Sequence, residues 1–237
     1  APSISARTNR VTSRGIPIRG ITGVILCNEL LDAFPVHRIT MCDGEIRELY
    51  VTVDGECLVE RTGSLSDPTL KRRLENVGVD LCEGWQAEIN LEIDTWISQI
   101  AGALDRGCLV AIDYGRQASQ LYSAERQRGT LTTFRGHVQT DDPFHSVGQQ
   151  DITAQVDFTA LIQAGEENGL RTEGCITQRE FLRNLGLDHW LRRTDSGGLS
   201  RAEADGNRMG MHQIIQSGGM GDFRVLIQSK GIEYGSL

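Results

Sequence analysis

Two short apolar runs in this 237-residue chain each end abruptly in residues able to do chemistry. Val24-Ile25-Leu26-Cys27 is followed by Asn28, Glu29 and then Asp32, while Cys108-Leu109-Val110-Ala111-Ile112 is followed by Asp113, Tyr114 and Gly115. Carboxylates grouped with an amide can hold and orient a donor-rich group through charge-assisted hydrogen bonds. The first run suits a strand buried on both faces of a parallel sheet, and the second reads the same way. In open α/β sheets the ligand crevice lies beyond the carboxyl ends of such strands. The competing assignment for Asn28 and Asp32 is structural, as caps of the turn before Pro35. Tyr114 either packs on a bound side chain or closes the core. His37 and His137 are candidate bases, but a lone histidine usually serves structure. Asp151 and Asp157 are either helix caps or a second ring of site residues.

The elements that must position these groups follow from periodicity. Residues 36–42, 46–53 and 57–60 read as strands joined at Asp43-Gly44 and Asp54-Gly55, two turn signals, giving a β-meander over 36–62. Pro68 suits the first turn of a helix that ends before Gly78. Ile89, Ile93, Trp96, Ile97, Ile100 and Leu104 predict an amphipathic helix over 88–104, closed by Arg106-Gly107. The 66–106 stretch therefore reads as a helical segment, with Trp96 in the core. Two apolar strands with a helix between them predict a parallel sheet with crossovers. Residues 116–150 are polar, with one strand-like piece at 129–134, and a connection that long is commonly functional or mobile. Beyond it come a helix ending near Gly169 and capped by Thr153 or Asp157, and a strand over 170–176. A helix capped by Thr177 and Glu180 follows, carrying Phe181, Leu182, Leu185 and Trp190; then a helix over 202–215 and a last strand over 223–228.

The net charge of −8 argues against a general nucleic-acid binder, which shows a basic face. No stretch approaches the roughly 20 apolar residues of a membrane span. The six cysteines show neither Cys-x-x-Cys spacing nor a neighbouring histidine pair, so neither a structural zinc nor a disulfide framework is expected, and no metal site. A reducing compartment follows, and the chain is not read as secreted. Residues 1–20 carry Arg7, Arg10, Arg14 and Arg19 and no acidic residue. That composition suits either a transit peptide or, as expected here, the flexible remnant of a longer chain.

Several segments together resemble the MidA-type family of S-adenosylmethionine-dependent methyltransferases. They include the stretch from Gly23 to His37 with its Asn-Glu-x-x-Asp-Ala-x-Pro-Val string, and Gly107 to Gly115. Gly129-Thr-Leu with His137 and the Asp-Ile-Thr-Ala-x-Val-Asp-Phe string from Asp151 to Phe158 continue the match, and Gln178, Phe181-Leu182, Met220-Gly221 and Phe223 to Leu226 complete it. The resemblance covers residues 21–230. It implies an α/β fold: the later strands of an incomplete Rossmann-like class I methyltransferase sheet, with the β-meander and helical segment inserted. It also implies S-adenosyl-L-methionine as cofactor and a protein nitrogen, arginine by analogy with mitochondrial members that assemble respiratory complex I, as acceptor. The partner would be a respiratory complex subunit. The compartment would be the cytoplasm in a bacterium and the mitochondrial matrix in a eukaryote.

On this resemblance Glu29 orients the guanidinium, Asp32 assists or binds cofactor, and Asn28 hydrogen-bonds to either. Ala33, Pro35, Val36, His37, Asp113, Tyr114, Gly115 and Asp151 line the same mouth. The family's glycine-rich loop and the acidic residue after its second strand have no counterpart in this sequence, so residues 21–237 are expected to form a partial methyltransferase domain. The alternative is a non-catalytic homologue that keeps a partner-binding surface. Without earlier strands the first apolar run would lie at a sheet edge, and a homodimer through that edge is expected.

Overall fold

The computed structural model describes residues 16, 18–136, 138–193, 198 and 200–232. Most of residues 1–20, and His137, lie outside that range. The main sheet holds β1 (Ile21–Asn28), β6 (Leu104–Asp113), β12 (Arg171–Thr177) and β13 (Arg224–Lys230) in the order β1-β6-β13-β12. β1 and β6 run parallel, and β13 is antiparallel to both β6 and β12. A second sheet has the order β4-β3-β2-β5, formed by β2 (His37–Cys42), β3 (Glu45–Asp54), β4 (Cys57–Gly63) and β5 (Gln86–Ile89). Between β4 and β5 lies helix α1 (Thr69–Asn76), and between β5 and β6 lies α2 (Glu92–Ala103).

The stretch after β6 returns to the main sheet through small elements. β7 (Gly115–Arg116) pairs in parallel with β11 (Val156–Asp157), on either side of the short helix α3 (Ala118–Leu121) and a three-stranded sheet. That sheet has the order β10-β8-β9, built from β8 (Thr132–Arg135), β9 (Val138–Thr140) and β10 (Asp151–Thr153). Helix α4 (Phe158–Glu167) follows, with Asp157 as its N-cap, accepting from the Thr159 and Ala160 N–H groups; Thr153 lies in β10. α5 (Gln178–Asn184) and α7 (Arg201–Gln213) each open with a full capping box, Thr177 with Glu180 and Ser200 with Glu203. α6 (Leu187–Arg193) lies between them; Trp190 is on it and exposed.

Helices α2 and α4 cover one face of the main sheet. Ile93, Ile97, Ile100 and Leu161 pack there with Cys27, Leu109, Ala111 and Leu226. Trp96 is partly buried against that core and meets Phe34 edge to face. On the other face Phe181 of α5 packs on Cys108, Val225 and Ile227. That cover stops short of β1, where Val24 and Leu26 are 63% and 65% exposed.

Four expectations are corrected. β1 is not buried on both faces, because burial on its second face needs a neighbour that an apolar run cannot specify. Glu88 and Ile89 do not begin a helix. They pair with Arg38 and His37 and extend the meander to four strands, so interstrand hydrogen bonds override a helical spacing. The 66–106 stretch is therefore not one helical unit, since it also supplies β5, a helix packed on the main sheet and the start of β6. Arg106-Gly107 does not cap α2. That helix ends at Ala103, and Gly107 sits opposite Gly23 inside the β1–β6 pairing.

Candidate active site

The carboxyl ends of β1 and β6 meet at one buried carboxylate. Asp113, 1% exposed, accepts hydrogen bonds at Oδ2 from the backbone N–H groups of Leu30 (3.1 Å), Leu31 (2.9 Å) and Asp32 (3.4 Å), and at Oδ1 from Tyr114 N–H (2.9 Å). The strand residue expected to line the mouth thus serves as a latch that shapes the turn carrying the other candidates. Glu29 enters that turn with φ +46°, a left-handed backbone unusual for a non-glycine residue, and its N–H donates to the Ile112 carbonyl at 2.9 Å. Its exposed carboxylate accepts from the Asn28 amide at 3.1 Å. Strain of this kind concentrates at functional sites.

Asp32 is 7% exposed. The Tyr114 hydroxyl donates to its Oδ2, while its Oδ1 is buried with no hydrogen-bond partner among the described residues. Tyr114 is held from the other side by the Phe223 ring, at 5.5 Å between centroids. Burial, and next the hydrogen bond to Asp32, push its hydroxyl well above the ordinary tyrosine range, so it is a donor at any physiological pH. The Asp32 carbonyl accepts from Ala154 N–H at 3.0 Å, which ties the turn to the strand entering α4.

Burial, and then the nearby Asp32 charge, push the Asp113 carboxyl up to about 6, against the N–H groups that favour its ionised form. Its ordinary value is near 3.9, so the folded chain binds the extra proton between about pH 4 and 6. The associated stability is complete below pH 4 and is lost as pH rises through 6, up to about 3 kcal/mol. Glu88 and Asp157 are also raised, chiefly by burial, and add slopes of the same sign. Glu48, Asp67, Glu173, Glu180 and Glu203 are lowered and act in the opposite sense, but only near and below their ordinary values. Urea unfolding from about pH 5 to 7 should therefore show stability falling with pH, and Asp113→Asn should flatten part of that fall.

The remaining candidates divide by location. Ala33, Pro35, Val36 and His37 run from the Asp32 turn along the wall of an open cleft of about 500 Å³. His37 Nδ1 lies 2.8 Å from Glu48 Oε1. Burial alone would raise the Glu48 carboxyl, but His37, the Ser66 N–H and hydroxyl, and the Tyr50 hydroxyl together hold it below the usual range. Gly115 belongs to the β7–β11 pairing, where a Cβ would fall 2.1 Å from the Val156 carbonyl oxygen; a close backbone approach requires this glycine. Asp151 is exposed on β10 and is not among the residues lining the cleft. Cys42, Asp43 and Glu83 bring ligand atoms within 4.8 Å of one another, but Glu83 spends both oxygens on the Asp43 and Gly44 N–H groups and braces the hairpin turn.

Sequence reasoning did not find Phe34, Glu60, Leu131, Phe144 or Ile152 as cleft residues. For Leu131, Phe144 and Ile152 the signal was present in the apolar residues scattered through the long polar connection after β6, which has no periodicity of its own; Phe34 and Glu60 lie before β6, in the turn after β1 and in β4.

A sheet with this order, two parallel strands whose carboxyl ends carry the acidic group, and an antiparallel pair beyond them form a class I methyltransferase-like α/β fold. The family model described as "Putative S-adenosyl-L-methionine-dependent methyltransferase" matches residues 10–176, and the chain belongs to that family. Among curated relatives, the zebrafish (Danio rerio) mitochondrial protein arginine methyltransferase NDUFAF7 is 31% identical over 195 residues, 75% of this chain and 42% of its own. The Caenorhabditis elegans mitochondrial NDUFAF7 homolog is 30% identical, over 72% of this chain and 39% of its own. A COG1565 superfamily member from Burkholderia thailandensis, solved bound to S-adenosyl-homocysteine, superposes with a TM-score of 0.83 at 29% identity, covering 94% of this chain and 57% of that one. The chain thus spans about two fifths of the length of the curated relatives it matches.

Proposed function

We infer that this chain is part of an S-adenosylmethionine-dependent methyltransferase acting on a protein arginine, and that the turn from Asn28 to Asp32 is the acceptor-side wall of its site. One observation carries the reading: Glu29 and Asp32 present a strained, exposed carboxylate and a buried carboxylate with an unpartnered oxygen at the carboxyl ends of two parallel strands. A buried acceptor without a donor is costly, so Asp32 Oδ1 fits a cationic or N–H-bearing group brought by a ligand. Asn28 would contact the cofactor, which supplies the methyl group, while Asp32 faces the acceptor.

The chain's own residues supply positioning and electrostatics. Glu29 accepts two N–H donors of the guanidinium and fixes its plane. Asp32, oriented by Tyr114, would accept at Oδ1 the proton that the guanidinium releases as its nitrogen is methylated, and Asp113 holds both in place through the turn's backbone. The curated relatives named as mitochondrial protein arginine methyltransferases support an arginine acceptor and, in a eukaryote, a mitochondrial compartment; the matrix and a complex I subunit as substrate rest on the family resemblance alone. No helix among the described residues is long and apolar enough to cross a membrane. Residues 21–237 would act as one partial domain, with the 36–62 meander, completed by β5, as its insertion.

Incubating the complete natural protein with methyl-labelled S-adenosylmethionine and arginine-bearing peptides should yield methylarginine on acid hydrolysis. Label on lysine would overturn the arginine assignment, and failure to bind S-adenosylmethionine in calorimetry would leave the interaction-module reading.

The exposed face of β1 bears on assembly. Val24 and Leu26 project from a strand at the sheet edge, and such edges recruit another copy. The isolated 237-residue chain should self-associate, and Val24→Glu with Leu26→Glu should reduce the mass measured by light scattering. A monodisperse monomer before substitution would remove the proposed homodimer.

A further inference from the structure

The 500 Å³ cleft does not stand alone. A second cavity of about 440 Å³ shares Arg38, Glu60, Leu131, Pro143 and Phe144 with it, so the two form one continuous groove between the meander sheet and the β8–β10 excursion. At one end its wall is made by Ala33, Thr153 and Ala154, and Ala154 is the residue hydrogen-bonded to the Asp32 carbonyl. The groove therefore opens beside the turn that carries Glu29 and Asp32.

Its walls are built, not loose. Gly129, at φ +78°, brings its loop onto Glu88, whose Oε2 accepts from the Thr130 N–H at 2.6 Å and the Thr130 hydroxyl at 3.1 Å. Arg38 is fixed between Glu60, Gln86 and Glu88. Val51, Val147 and Ile152 leave apolar surface open along the rim, at 59%, 62% and 47% exposure.

Two properties select the occupant. A pair of joined cavities, together at the upper end of the size range of small-molecule pockets and open along an apolar rim, suits an extended chain better than a compact ligand. Among the groove's charged side chains Glu48, Glu60, Asp141 and Asp142 outnumber Arg38 and Arg128, within a chain of net charge −8. Potential complementarity then favours a basic partner. We propose that this groove docks an extended, arginine-bearing segment of the substrate protein, its aliphatic side chains on Val51 and Ile152 and its basic ones toward the acidic lining. The identity of the segment as substrate rests on the methyl-transfer reading; the docking chemistry does not.

The test uses the complete natural protein and two fluorescein-labelled peptides, one alternating leucine and arginine, the other leucine and glutamate. Fluorescence anisotropy should show the arginine peptide binding at least tenfold more tightly. Val51→Lys and Ile152→Lys, at exposed positions, should each weaken it tenfold or more with Tm and S-adenosylmethionine binding unchanged. Val53→Lys should leave it unchanged, because Val53 is equally exposed on the same strand yet outside the groove lining. Equal binding of the two peptides, no binding of the arginine peptide, or identical behaviour of all three variants overturns the proposal. So does loss of self-association in Val51→Lys, which would make the groove an interface between copies. If the groove variants behave as expected while S-adenosylmethionine fails to bind, the methyl-transfer reading falls and the docking surface stands.

Discussion

Replacing Glu29 by Gln in the complete natural protein should lower the rate of arginine methylation by about 10²- to 10³-fold, with S-adenosylmethionine affinity and Tm unchanged. The size follows from removing one preorganised charge aimed at the reacting group, whose loss costs on that order. Gln keeps the length and the contact with Asn28 but removes the negative charge that pairs with a guanidinium. Stability should not move, because the Glu29 side chain is exposed and its structural bond is made by its backbone N–H to Ile112, which Gln retains. Initial-rate kinetics with labelled cofactor separate the outcomes. A fall in kcat supports a role in orienting the acceptor, whereas an unchanged rate would return Glu29 to being a strained turn residue.

Replacing Gly107 by Ala should prevent the chain from folding. A Cβ at this position would lie 1.8 Å from the Gly23 carbonyl oxygen and 2.8 Å from its carbonyl carbon. Both obstacles are backbone on the neighbouring strand, so no rotamer change relieves them. The backbone is also held at φ +141°, which side-chain-bearing residues rarely adopt. Relief requires β1 and β6 to move apart at the pairing that sets the Asp113 latch, at a cost upward of about 3 kcal/mol, a large share of a domain's net stability. Circular dichroism and urea unfolding should show loss of the cooperative transition. As a control, Gly55→Ala, at a hairpin turn with open space around it, should cost only its φ strain.

What the sequence alone determined was local. The two strand ends, the Asp-Gly turns of the meander, the Asp157 cap and the Thr177–Glu180 capping box were readable because each depends on a few neighbouring residues and on backbone preferences those residues carry themselves. The acidic group at the strand ends was legible for the same reason, since an apolar run that stops at Asn28-Glu29 or Asp113-Tyr114 marks its own boundary. Tertiary structure decided what no single segment encodes. β5 exists because β2 offers it an edge, although Ile89 keeps step with the helix that follows. Gly107 is required by a strand 84 positions earlier in the chain, not by the helix it seemed to end. The unequal faces of β1 depend on which helices reach it, and the groove on two sheets far apart in sequence. The same holds inside the site: Asp113 and Asp32 are alike in type, but packing buries one under four backbone donors and leaves the other with an oxygen still to be satisfied, because hydrogen-bond partners are assigned by the fold and not by the spacing of the residues that need them.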